Sequence, residues 1–138
     1  MNKIRRRLLL AAGKDAAGVI FKSGVAKING EIAREKNVSV RAVNILIASM
    51  GYLSIKADFT NFSKLNIEIS LLESTGHGTQ YGYGNSATAF TRSYTKTTAA
   101  NEVKTFDISS VTGEHFINFV AGEYTDSTIT YIANIWME

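Results

Sequence analysis

Apolar and polar positions alternate at period two along most of this chain, and that rhythm predicts strands. Leu53, Ile55, Ala57 and Phe59 alternate with polar neighbours, as do Leu65, Ile67 and Ile69, the run His115 to Val120, and the closing run Ser127 to Met137. Weaker alternation covers Ala87 to Tyr94 and Val103 to Phe106. Gly18 to Phe21 and Val25 to Ile28 are short β-favouring runs around Lys22-Ser23-Gly24, the spacing of a hairpin with glycine where positive φ is needed. Gly122 to Asp126 predicts a last turn, joining the two final strands as a hairpin.

One phrase occurs twice. Asp58-Phe59-Thr60-Asn61-Phe62-Ser63 and Asp107-Ile108-Ser109-Ser110-Val111-Thr112 each set an aspartate and hydroxyl residues around two apolar side chains, and each precedes a strand. Such a composition satisfies its own backbone in a turn. Between the turns, residues 73–86 carry four glycines and read as a long connection, the favoured place for a binding site. Residues 95–101 read as a polar linker.

Residues 31–50 fit two patterns. Ala42, Val43, Leu46, Ile47 and Met50 form a helical stripe that suits a helix-turn-helix, with Asn37 at the left-handed turn and Val40, Arg41 and Asn44 facing DNA. The same residues read as strands, Val38 to Arg41 and Val43 to Ile47, with a bulge between. A strand follows where a third helix would be needed, so the β reading is preferred. Eight to ten short strands without a firm helix predict an all-β fold: an antiparallel β-sandwich, jelly-roll-like, over residues 17–138.

Composition refines this picture. The chain has 138 residues, 45% of them hydrophobic and 20% charged, which suits one globular domain. It has no cysteine, which excludes disulfides and thiolate metal sites. The net charge of +3 comes from Lys3, Arg5, Arg6, Arg7 and Lys14 in a basic arm, residues 1–16; beyond it the chain holds 10 basic against 11 acidic residues. A nucleic-acid-binding face is therefore not expected. The arm's apolar run, Leu8 to Ala12, is short for a signal peptide, and no stretch matches a membrane span, so neither secretion by a leader nor membrane contact is expected.

The chemistry-bearing residues are sparse. His77 and His115 have no convergent carboxylate pattern, so neither a metal, a cofactor nor an enzymatic site is expected, calcium between the Asp58 and Asp107 turns remaining a lesser alternative. Glycine spacing in residues 76–84 matches no nucleotide fingerprint. Ligand recognition would use aromatic faces beside hydrogen-bonding groups: His77, Gln80, Tyr81, Tyr83, Arg92, Tyr94 and Tyr124 are the candidates. Trp136 reads as core or subunit interface.

Arg5-Arg6-Arg7-Leu8-Leu9, Ile20 to Gly24, Asp58 to Leu65, Phe106 to Gly113 and Ile135 to Glu138 together resemble small phage tail and baseplate proteins of prophages in Gram-positive bacteria. The resemblance implies a non-enzymatic structural module of the virion tail, made in the bacterial cytoplasm. It also implies homo-oligomers, contact with other tail or baseplate proteins, and a β-sandwich sometimes like a carbohydrate-binding domain. Cell-surface glycan recognition is the alternative function. A helix-turn-helix regulator is the third.

Overall fold

The computed structural model describes residues 18–123 and 126–138; the basic arm and Tyr124 lie outside them. Nine strands follow in order: β1 (Val19–Phe21), β2 (Glu31–Val40), β3 (Ile45–Asp58), β4 (Lys64–Ser74), β5 (Thr79–Gly84), β6 (Arg92–Lys96), β7 (Thr98–Asp107), β8 (Glu114–Ala121) and β9 (Thr128–Met137). All pairings are antiparallel, and the described residues contain no helix. The fold is all-β, as the alternation predicts, and residues 31–50 hold β2 and the start of β3 rather than a helix-turn-helix, the two strands being joined not by a bulge but by a hairpin turn over residues 41–44.

The strand path β6-β5-β8-β3-β9-β4-β7 doubles back into two layers because β3 serves both. Residues 51–58 of β3 pair with β8, whereas Ile45, Leu46 and Ile47 pair with β9. The bend lies at Met50, whose φ of 60° is left-handed, and its neighbour Gly51. β2 follows it with a register shift at Asn37, φ 55°, whose Nδ2 donates to Ser49 O at 3.1 Å. Gly51 is needed there, since a Cβ would press on the carbonyl oxygens of Ala48 and Lys36.

Between the layers, Leu53, Ile55, Leu65, Ile67, Ile69, Ile117 and Phe119 are buried at every second position of their strands, and Ile132 and Ile135 are buried three apart in β9, where its pairing with β4 shifts register. Both aspartate phrases are turns, as expected. Asp58 Oδ1 accepts from Thr60 N at 2.9 Å; Asp107 Oδ1 accepts from Ser109 N at 2.9 Å and Ser109 Oγ at 2.7 Å. These hydrogen bonds hold both carboxyls below their ordinary pKa. Each turn drops its following apolar residue, Phe59 or Ile108, into the core, and the two turns clasp each other through Phe59 N to Gly113 O and Ile108 N to Ser63 O, both 2.9 Å.

Four sequence expectations need correction. β8 and β9 are not a hairpin, because β3 lies between them. The Val25 to Ile28 run contributes one bridge, Phe21 to Ile28, and β1 pairs instead with β9, although Gly24 does take positive φ. Residues 95–101 are not a linker: they hold the end of β6 and the start of β7.

The glycine-rich stretch is mostly the strand β5, not a loop. Tyr81 and Tyr83 point inward while Gly82 and Gly84 face outward, where residues 85–91 fold over them; a Cβ on Gly82 or Gly84 would strike the carbonyl oxygen of Arg92 or Ala89. Asn118 of β8 anchors that cover, its Nδ2 donating to Ser86 O at 3.0 Å and Ala89 O at 2.7 Å, while Ser54 Oγ donates to its Oδ1 at 2.5 Å.

Candidate functional site

β6 and β7 are the two ends of the strand path, one in each layer, and they do not pair with each other. Their inward side chains meet across the open seam in antiparallel order. At the end nearest Thr97, Lys96 Nζ meets Glu102 Oε2 at 3.2 Å. In the middle, Lys104 Nζ lies 4.3 Å from the Tyr94 ring centroid. At the far end, Arg92, Phe106 and Asp107 border a cleft of about 390 Å³.

Tyr83 and Phe106, both buried and packed edge to face at 6.3 Å, form the floor of this cleft. Arg92 and Ser93 line one wall; Lys104, Thr105, Asp107 and Ser110 line the other. Tyr83 Oη donates to Asp107 O at 3.3 Å, joining floor to wall. The Asp107 carboxyl is held ionised chiefly by the Ser109 hydroxyl and amide, with Arg92 and Lys64 adding to this. Tyr94 stands beside the cleft, its ring perpendicular to that of Tyr81 at 5.9 Å. Burial, aided by Glu102, pushes the Tyr81 phenol well above its ordinary pKa.

The predicted ligand residues separate into three groups. Tyr83, Arg92 and Tyr94 gather at the seam. Tyr81 is fully buried against Phe119 and Phe106, so its ring faces are core surfaces rather than ligand surfaces. His77 and Gln80 line a smaller hollow of about 210 Å³ with Glu123 and Thr95. His77 is engaged there by Asp126, whose Oδ2 also accepts from His77 N at 2.8 Å, and this carboxylate raises the imidazole pKa. Tyr124 lies outside the described residues.

Sequence reasoning missed Ser93, Lys104, Thr105, Phe106 and Ser110 as lining residues, and placed Asp107 as a turn former with calcium as a lesser alternative, not as part of a ligand cleft. A larger hollow of about 490 Å³ lies beside β1, bounded by Gly18, Asn29 and Phe62. Its cation Lys56 is paired with Glu114 at 2.9 Å. The outer face of the β8 layer offers Tyr52, but Arg34 stacks over that ring at 3.7 Å. Among the described residues no three histidines or carboxylates group as metal ligands.

No protein-family model matches the chain, and no curated protein matches it. Solved structures do. A family 29 carbohydrate-binding module from Piromyces equi shares the fold with a TM-score of 0.52 at 13% identity, over 86% of this chain and 87% of that one. Two further family 29 carbohydrate-binding module structures give TM-scores of 0.51 and 0.50 at 16% and 17% identity, over 87% and 86% of this chain and 89% and 84% of theirs. At such identities the likeness concerns the β-sandwich itself.

Proposed function

We propose that this chain is a non-enzymatic carbohydrate-binding module whose site is the seam cleft between β6 and β7. The observation that carries the reading is the cleft's construction: an aromatic floor of Tyr83 and Phe106 under a rim of Arg92, Ser93, Asp107 and Ser110. A sugar ring presents apolar C–H faces and equatorial hydroxyls, which such a floor and rim match. The volume falls within the range of about 300–1,000 Å³ common for ligand sites. The likeness to carbohydrate-binding modules supports the same reading at the level of fold. Glycan-array binding by the native chain, lost in Arg92→Ala at unchanged melting temperature, tests it; absence of binding to every glycan overturns it.

A virion tail module remains our second reading. It is supported by an apolar strip on the outer face of the β4 layer, where exposed Ala100 and Leu71 are register neighbours of half-buried Tyr131 and Leu46, and Ile129 is exposed beside them. Self-association through that strip would produce an oligomer in light scattering, and a strict monomer with Leu71 and Ile129 accessible to solvent contradicts it.

A further inference from the structure

We propose that the seam cleft selects glycans bearing a negative charge, a carboxylate or a phosphate, an inference that rests on the carbohydrate-binding reading. The charges along the seam are balanced at one end and unbalanced at the other. Lys96 is matched by Glu102, and that ion pair lies outside the cleft lining. The cleft itself is lined by two cations, Arg92 from one layer and Lys104 from the other, and by the carboxylate Asp107.

Asp107 is already committed to its own turn, where one oxygen accepts both the amide and the hydroxyl of Ser109. It influences Arg92 only through space, since neither Arg92 nor Lys104 forms an ion pair among the described residues. The ammonium of Lys104 rests instead on aromatic faces, 4.3 Å from the Tyr94 centroid and 5.9 Å from that of Phe106. Cation–π contact holds the side chain in place and leaves its charge without an anion. A guanidinium on the opposite wall supplies a planar fork suited to two oxygens of one acidic group. The floor then receives the sugar ring and the two walls receive its charge.

The test is calorimetric titration of the native chain with neutral oligosaccharides, uronic-acid oligosaccharides and phosphodiester-linked glycan oligomers, compared with Arg92→Gln and Lys104→Met. Arg92 is exposed, so its variant keeps the fold even if Lys104→Met loosens the Tyr94 packing. The expected result is binding of at least one acidic ligand about tenfold or more tighter than neutral ones, the scale of one charge-assisted hydrogen bond. That preference should shrink as salt rises from about 50 mM to about 500 mM and should disappear in Arg92→Gln. The uronate and phosphodiester arms tell which acidic group is read. Equal or tighter binding of neutral glycans, insensitive to salt, overturns the charge selectivity while leaving glycan binding intact. Binding of nothing overturns both.

Discussion

Lys104 of β7 lies 4.3 Å from the centroid of the Tyr94 ring of β6, a contact between the terminal strands of opposite layers. It closes the middle of a seam that the backbone leaves open. The consequence is a cleft confined to one end of the seam, with its aromatic floor already packed into the core.

Packing of that floor separates binding from stability. Tyr81 and Tyr83 are buried, so Tyr81→Ala and Tyr83→Ala should each cost about 3–5 kcal/mol, as other large aromatic truncations in cores do. Chemical denaturation should show this loss directly. Arg92→Ala, at an exposed position, should leave the unfolding free energy within about 0.5 kcal/mol of native.

The cover on the β8 layer depends on two small residues and one amide. Gly84→Val should force the carbonyl of Ala89 away and destabilise by about 1–3 kcal/mol. Asn118→Ala should cost a similar amount, about 1–3 kcal/mol, because Ser54 is left buried without its acceptor. Amide hydrogen exchange should rise in residues 85–91 in both variants, and unchanged exchange there would refute the anchoring role of Asn118.

Acid should loosen the clasped turns. Asp58 and Asp107 have folded-state pKa values below the unfolded value of about 3.9, so their contribution is complete above that pH and is lost as pH falls through the depressed folded values. Thermal melts below about pH 4 should therefore drop steeply in the native chain and more shallowly in a Asp58→Asn, Asp107→Asn double variant.

The opposite sign holds at the other end of the sandwich. His77, raised by Asp126, stabilises the pairing of the turns at residues 75–78 and 126–128 fully below its unfolded pKa of about 6.5 and loses that contribution as pH climbs through the raised folded value. Melting temperatures should decline as pH climbs past about 6.5, and His77→Gln should remove that portion of the decline.

What could be read in advance depended on how local the cause is. The aspartate turns were legible because Asp58 and Asp107 bond to residues two positions away. Leu53, Ile55 and Ala57 announced their strand by alternation alone. Tyr81-Gly82-Tyr83-Gly84 also alternates, yet its glycines look like a loop until the backbone at Ala89, Phe90, Arg92 and Ser93 is seen to need the space above them. Tyr83 and Arg92 could be proposed from residue type, whereas Lys104, Phe106 and Ser110 join them only because the strand path folds into two layers. The separation of β8 from β9 by β3 likewise depends on non-local pairing.

The most direct measurement is a heteronuclear NMR titration of the native chain with a glycan ligand identified by array. The account predicts that amide shifts concentrate at Arg92, Ser93, Lys104, Asp107 and Ser110. Shifts confined to Tyr52, Phe116 and Val120 on the outer face of the β8 layer, with the seam unmoved, would contradict it.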